Sequence, residues 1–322
     1  MSIGRQRLET VSPPDAQSHE AFYYREGPQT DEDLSPLAAM ELLRRRVRTP
    51  ILPEVLLQLF NLLGSDDSSA GDAVKVVSMD PSLAAAVLRT VNSASFGLSI
   101  RIDCLHRAVT LLGLNELGAM ALGSTFLANF KINPECQFDL ERYWQHSLAT
   151  ATCSRSLANN LRLDRPERYF LAGLLHDIGR LALYANLKGL APSVEKYCRE
   201  HLLPAHQVEK LFFGFDHAAF GATLLHSWNL PDGLVDMVRL HHEPSIKSEE
   251  LPELIHVADV LATVLGYGPG SAVLVPRLDP AAWDCLGLSA ADVPGLVERI
   301  LPELDRTFRI LSGVSSFWDN AA

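Results

Sequence analysis

Cysteine is scarce in this 322-residue sequence, and basic residues are fewer than acidic ones. The five cysteines are scattered and no two form a CxxC pair, so neither a disulfide scaffold nor a thiolate zinc site is expected. This cysteine usage predicts a reducing cytoplasm as the compartment. The formal net charge of −11 argues against a basic nucleic-acid-binding face and against binding to anionic membranes.

Long hydrophobic runs are absent as well. The longest apolar stretches, such as residues 83–88, are far shorter than the roughly 20 residues that a membrane span requires. Residues 1–15 contain no hydrophobic segment of a secretory signal, so we expect neither membrane insertion nor secretion. With 47% hydrophobic and 21% charged residues, the chain can still bury a substantial core.

Strand signals are nearly absent, apart from a short run at 271–276 inside a Gly/Pro-rich segment that we interpret as a loop. Apolar residues instead recur at spacings of three and four, the pattern of amphipathic helices. Asp80-Pro81 predicts a helix start, with Asp80 as the N-cap, and Ser289 with Asp292 predicts a capping box. The sequence therefore predicts an all-α fold, because the alternating strands and helices of an α/β fold are missing.

The chain divides into two predicted helical lobes. Residues 1–33 are polar and rich in proline and acidic residues, and we interpret them as a flexible tail. A first helical lobe is expected over 34–130, and a non-periodic break with a proline follows at 131–137. A second, HD-like lobe is expected over 138–315, and its pattern includes one long helix at 166–187.

Histidines concentrate in the second predicted lobe, which holds nine of the eleven. His176-Asp177 follows an apolar helix end, and we expect Gly179 to let the backbone turn closely around a bound ion. Asp259 interrupts an apolar stretch, where a buried carboxylate requires a partner. Such imidazoles and carboxylates suit iron, manganese, zinc or nickel. The candidate metal ligands are His146, His176, Asp177, His217, His241, His242 and Asp259.

Each candidate also has a purely structural interpretation. His146 fits an ordinary helix face, His217 a helix start, and His241-His242 a favourable charge at a helix C-terminus. Asp177 and Asp259 fit buried hydrogen-bond acceptors or caps. The histidines without companions are predicted to be structural, namely His201, His206, His226 and His256.

Six blocks of sequence have counterparts, in the same order, in a known family. Those of the first lobe are TPILPEVLLQLF (49–60), VVSMDPSLAAAVLRTVNSASFGL (76–98) and HRAVTLLGLNEL (106–117). Those of the second lobe are FLAGLLHDIGRLAL (170–183), GFDHAAFGATLLHSWNLPDGLVDMVRLHHEP (214–244) and LIHVADVLA (254–262). Together they resemble the HDOD family, the regulatory relatives of HD phosphohydrolases in bacterial signalling proteins, over roughly residues 48–265.

The resemblance implies an N-terminal helical lobe packed on an HD-like lobe. It implies a signalling output or scaffold module that is non-enzymatic and acts through a signalling protein partner or a sensed ligand. No residue is then assigned a catalytic role, and a divalent metal is the one cofactor expected. The family's HD pattern falls on His146, His176-Asp177 and Asp259. The additional histidines of the related HD-GYP phosphodiesterases fall on His217, His241 and His242.

An alternative function is a metal-dependent phosphohydrolase or cyclic-dinucleotide phosphodiesterase. Two departures from the HD-GYP pattern argue against it. Pro-Ser-Ile-Lys follows the HHE at 241–243, and the later Gly-Tyr-Gly-Pro at 266–269 lies outside the expected position. Arg180 stands where HD-GYP enzymes carry lysine, and it is the predicted phosphate-binding residue because guanidinium can bind phosphate with two donors. The sequence carries no signal for an oligomeric state.

Overall fold

The computed structural model describes residues 53–63, 65, 68–129, 138–186, 191–244, 250–269 and 275–312. The predicted tail at 1–33, the break at 131–137 and most of the run at 271–276 lie outside these ranges. The described residues form helices joined by short turns, and no strand occurs among them. The all-α prediction is therefore confirmed. None of the described helices has the length and apolar character needed to cross a bilayer.

The first half begins with helices whose starts follow the sequence signals. Asp80 accepts hydrogen bonds from the Ser82 and Leu83 amides, and Pro81 occupies the first helical position, as predicted. A short 3₁₀ turn lies at Ala94–Phe96. The α-helices are α1 (Glu54–Leu63), α2 (Ala70–Val77), α3 (Pro81–Val91), α4 (Leu105–Leu112) and α5 (Leu114–Asn129).

The second half contains the remaining described helices. They are α6 (Leu140–Asn160), α7 (Pro166–Leu175), α8 (Ile178–Asn186), α9 (Ala191–His201), α10 (Ala205–Phe213), α11 (His217–Ser227), α12 (Asp232–Leu240), α13 (Pro252–Val264), α14 (Pro280–Cys285) and α15 (Val293–Ser312).

Two features of the second half differ from the sequence prediction. The single helix expected over 166–187 is two helices, with a turn at His176-Asp177 between them. Adjacent side chains on a continuous helix diverge by about 100°, so a break lets both face one site. The short helix α14 was not predicted. Asp279 caps this helix and Pro280 is its first residue, so it begins with the same Asp-Pro signal that predicted the helix start at Asp80-Pro81.

One apolar core runs through both halves, from Leu56 on α1 to Leu304 on α15. The last helix, α15, packs against α6 as well as against α3 and α5. Arg155 on α6 pairs with Glu303 on α15 at 3.3 Å. The capping box predicted at Ser289 and Asp292 is present at the 3₁₀ turn that precedes α15. The two halves are thus joined by packing along a long helix.

Candidate metal centre

The seven predicted ligands converge in the interior of the second half, although they come from distant parts of the chain. His146 lies within α6, and Asp259 lies within α13. His217 opens α11. His176-Asp177 lies in the turn that ends α7, and His241-His242 lies in the turn that ends α12. His242 is half-buried, and the other six side chains are buried. Their ligand atoms form two adjacent groups.

The first group consists of His146, His176 and Asp259. The Nε2 atoms of His146 and His176 are 3.1 Å apart. The same His146 nitrogen lies 3.2 Å from Oδ1 of Asp259. Two donors bound at right angles to one ion, each about 2.1 Å away, are about 3.0 Å apart, so this spacing is compatible with a shared cation.

The second group consists of Asp177, His217, His241 and His242. Nε2 of His217 is 2.8 Å from Nε2 of His242 and 3.0 Å from Oδ1 of Asp177. Asp177 links the groups, since its Oδ2 is 4.0 Å from Nε2 of His146 and its Oδ1 is 3.6 Å from Nε2 of His176. The two groups therefore meet at one carboxylate.

The outer ring nitrogens of the histidines have fixed partners. Nδ1 of His176 and Nδ1 of His241 each donate at 2.7 Å to the carbonyl three residues earlier, which a helix end leaves without an intrahelical partner. Nδ1 of His146 donates to the Tyr267 carbonyl at 2.7 Å. Because Nδ1 is held by a carbonyl in each ring, Nε2 is the nitrogen that faces the site and would bind a cation.

Two glycine contacts set the distances between the helices that carry the ligands. A methyl group on Gly173 would lie 2.8 Å from the Cα of Ala151, so α7 packs very closely on α6. A methyl group on Gly179 would overlap the His217 carbonyl and the Gly221 amide on α11. Gly179 was expected to turn the backbone around an ion. It lies instead within helix α8 and permits close packing on α11.

Two carboxylates of the site have low pKa values although they are buried. Burial alone would raise the pKa of Asp177, but His176 and His217 outweigh it and hold the pKa well below its ordinary value. The pKa of Asp259 is lowered in the same way, against burial, by His146. Burial lowers the pKa of His241 to about 3. The site thus combines ionised carboxylates with at least one neutral imidazole, which are the forms that bind a divalent metal.

The donor set fits a divalent cation by two further observations. Nε2 of His241 is buried and has no hydrogen-bond partner, at 3.9 Å from the nearest Asp177 oxygen. A buried nitrogen lone pair without a partner is costly, and a metal ion would satisfy it. The set of imidazole and carboxylate donors without thiolate matches iron, manganese, zinc or nickel and does not identify one of them.

A cavity of about 310 Å³ opens onto the cluster. His146, Asp177, His217, His242 and Asp259 are among the residues that line it. The lining also includes apolar residues of the turn before α10 and of the segment before α14, namely Leu203, Pro204, Val275 and Pro276. The cavity gives a ligand direct access to both groups.

Arg180 lines this cavity but already has a partner. Its side chain is buried and donates to Glu195 at 2.7 Å. The guanidinium also lies 5.7 Å from the Phe138 ring centre and 5.5 Å from that of Tyr184. One guanidinium nitrogen, Nε, has no hydrogen-bond partner. The phosphate-binding role of Arg180 stays a prediction, and phosphate would compete there with Glu195.

Comparison with known proteins assigns the family. The sequence profile of the HDOD domain matches residues 49–244, more than half of the chain. The chain belongs to the HDOD family. A curated relative from Treponema pallidum, an uncharacterised protein, is 27% identical over 212 residues. That alignment covers 64% of this chain and 40% of the relative, so the chain spans less than half of the relative's length.

Solved structures show the same fold as this HDOD protein. A candidate phosphohydrolase from Shewanella amazonensis is 24% identical, with a TM-score of 0.64, over 86% of this chain and 98% of that one. A candidate signal transduction protein from Marinobacter aquaeolei is 23% identical, with a TM-score of 0.71, over 88% and 67%. An HDOD protein of unknown function from Geobacter sulfurreducens is 21% identical, with a TM-score of 0.63, over 89% and 95%.

Sequence reasoning missed several residues around the HDOD cluster. Glu209 is fully buried and contacts His217. His206, predicted to be structural, lines the cavity, and its ring stacks on that of His242 with centres 4.0 Å apart. His256 supports His241 by donating from Nδ1 to its carbonyl at 2.9 Å. A signal for Glu209 was available, because an acidic residue on the apolar face of α10 requires a buried partner.

Proposed function

We propose that this chain is an HDOD signalling module in which the HD-like lobe binds divalent metal ions and the first half transmits the bound state. The observation that carries the proposal is the convergence of seven buried or half-buried ligand residues from five regions of the chain. In a purely structural cluster the buried Nε2 of His241 has no hydrogen-bond partner, whereas a cation would bind it and would also compensate the charges of Asp177 and Asp259.

The residues divide naturally between two ions. His146, His176 and Asp259 would hold one, and His217, His241 and His242 would hold the other, with Asp177 shared between them. A bound divalent ion would supply a Lewis acid that attracts anionic oxygen ligands and lowers the pKa of water. The chain's own contribution is to orient the imidazoles through the Nδ1 hydrogen bonds.

Helix α7 is a direct physical connection between the cluster and the first half. Glu167, in the first turn of α7, accepts a hydrogen bond at 2.6 Å from the buried side chain of Asn115 on α5. The other end of the helix leads straight into His176. Ten residues of helix span about 15 Å, so a displacement of His176 reaches α5 through one rigid element.

We further propose a protein partner and a cytoplasmic location. In this proposal the cavity at the cluster binds a small ligand as a second signal besides the metal. The surface of the first half binds the protein partner. The cysteines among the described residues are free thiols, which supports a reducing compartment.

A metal-dependent phosphohydrolase is the second candidate function. The favouring observation is that the cavity reaches both ligand groups, so an anionic ester would contact them directly. This candidate requires turnover by the metal-loaded protein. It is distinguished from the signalling module by assays of the manganese- or iron-loaded chain with simple phosphoesters and cyclic dinucleotides, using Asp177→Asn as background.

Metal analysis of untagged protein by mass spectrometry tests the proposal. We expect close to two equivalents of metal per chain after reconstitution and a lower metal content in His176→Ala. The matched control is His226→Ala, since His226 is an exposed histidine outside the cluster. Less than about a tenth of an equivalent in the wild-type protein would contradict the metal centre. Turnover lost in Asp177→Asn would contradict a non-enzymatic module.

Hydrogen exchange tests the transmission along α7. We expect metal binding to slow amide exchange in α4 and α5 of the wild-type protein, because α7 becomes fixed at its C-terminal end. Asn115→Ala removes the side chain that anchors Glu167, so it is expected to abolish this distant effect while the metal content stays unchanged. Metal-independent exchange in α5 of the wild-type protein would contradict the transmission.

A further inference from the structure

His217 differs from three other histidines of the cluster in the partner of its outer nitrogen. Nδ1 of His146, His176 and His241 donates to a neutral backbone carbonyl. Nδ1 of His217 donates instead to a carboxylate, Oε2 of Glu209, at 2.6 Å. Hydrogen bonds to a charged acceptor are stronger and more directional than those to a neutral one. His217 therefore has an ionic support that these three rings lack.

The local fold explains why Glu209 reaches His217. Glu209 lies on α10, the helix before α11, and its side chain is fully buried. Oε2 of Glu209 also accepts a hydrogen bond from the backbone amide of His217 at 2.8 Å. One oxygen therefore fixes both the ring of His217 and the start of α11. Asp216 caps the same helix through the Ala219 amide. The first turn of α11 is thus fixed by two carboxylates, which the helix dipole favours at that end.

This arrangement has a chemical consequence for the inner nitrogen. Because Nδ1 is bound to a carboxylate, Nε2 is the nitrogen that faces the site, 3.0 Å from Oδ1 of Asp177, and it is the atom that would bind a cation there. The negative charge of Glu209 also makes Nε2 a stronger electron donor. A carboxylate that supports a ligating histidine in this way commonly contributes a factor of 10–100 in metal affinity.

We propose that Glu209 is a positioning residue for the metal ion of the second group, acting through His217. The inference rests on the proposed metal centre and extends it, because it makes the two metal positions unequal. Loss of the Glu209 charge weakens the ion held by His217, His241 and His242. The ion held by His146, His176 and Asp259 keeps its affinity.

Glu209→Gln is the decisive variant, since it keeps the shape and an acceptor oxygen but removes the charge. Competition between the protein and a chelator for zinc or cobalt gives the affinity of each position. We expect one of the two ions to bind about 10–100-fold more weakly and the other to be unchanged. Glu209→Asp retains the charge on a shorter side chain and is expected to restore part of the loss.

Glu195→Gln is the matched control. Glu195 is also a buried carboxylate at the cavity, but it pairs with Arg180 and contacts no histidine of the cluster among the described residues. Its substitution is expected to leave both affinities unchanged. Equal loss in both variants would overturn the proposal, because any buried charge would then have the same effect.

The outcomes separate this inference from the metal centre itself. A wild-type protein that binds no metal contradicts the centre, whereas two ions bound with unchanged affinity in Glu209→Gln contradict only the role of Glu209. If Glu209→Gln does not fold, proton NMR of the histidines in the wild-type protein tests the role of Glu209 instead. A strongly downfield Nδ1 proton of His217, assigned by its loss in His217→Gln, supports the proposal, and its absence from the wild-type spectrum overturns it.

Discussion

The two halves of this protein bury different kinds of side chain. Among the described residues 53–129, the buried polar side chains are Thr90, Asn115 and Glu116, and the rest of the core is apolar. The second half buries the whole ligand cluster except the half-buried His242, together with the ion pair of Arg180 and Glu195. Apolar packing is enough for the first half, whereas the second half also depends on charge compensation.

Removing an aromatic ring from the apolar core of the first half is expected to have the largest effect. Phe60 on α1 is 1% exposed, and Phe60→Ala is expected to lower the free energy of unfolding by about 3–5 kcal/mol. Urea unfolding measures the loss. Leu211→Ala is the control, since Leu211 is 61% exposed and should change stability by less than about 0.5 kcal/mol.

Phe60→Ala also tests whether the metal site depends on the core of the first half. The folded fraction of Phe60→Ala should keep the metal stoichiometry of the wild-type protein, because Phe60 belongs to the first half and contributes no ligand. Metal loss from folded Phe60→Ala would show that the cluster depends on the packing of the first half.

A methyl group at Gly179 is expected to damage the second half by nearly as much. It would overlap backbone atoms of His217 and Gly221, which cannot rotate away as a side chain can. We expect Gly179→Ala to lower the free energy of unfolding by about 3 kcal/mol, the upper end of the usual range for overpacking. It should also reduce metal binding, because α11 carries His217. Urea unfolding and metal analysis check both results.

Gly123→Ala provides the control for Gly179 in the first half. Gly123 lies within helix α5, and a methyl group there meets no atom within 4 Å. Alanine is favoured over glycine in a helix by up to about 1 kcal/mol, so this variant should be stabilised. A Gly179→Ala protein as stable as Gly123→Ala would contradict the close contact between α8 and α11.

Sequence patterns predicted the elements of the fold better than the contacts within the site. Apolar spacing located α1, and Asp80-Pro81 located the start of α3, because both signals are local. The helix predicted over 166–187 missed the break at His176-Asp177, because the apolar pattern continues through it, although the same pair was interpreted as following an apolar helix end. The partners Glu209 and Tyr267 depend on contacts between helices, which no local pattern specifies.

Metal binding is expected to stabilise the protein through the second half. A ligand that binds only the folded state at 100 times its Kd adds about 2.7 kcal/mol to the free energy of unfolding. Thermal unfolding with and without zinc or manganese should show this increment in the wild-type protein and in Phe60→Ala. The increment should be smaller in His176→Ala, which lacks a ligand of one of the two ions. An equal increment in all three would show that the stabilising ion does not bind the group of His146, His176 and Asp259.

The smallest expected effects are at helix caps, where the two halves should behave alike. Ser69 on α2 and Ser289 before α15 form capping boxes, with Ser Oγ 2.6 Å from the aspartate oxygen in each. Ser69→Ala and Ser289→Ala should each cost about 1 kcal/mol, measured by urea unfolding, while Ser68→Ala, which removes no cap, should cost less. Equal losses of stability in the two variants would mean that the two halves differ in their cores and not at their exposed helix caps. A much larger loss at Ser289 would mean that the start of α15 limits the stability of the second half as well.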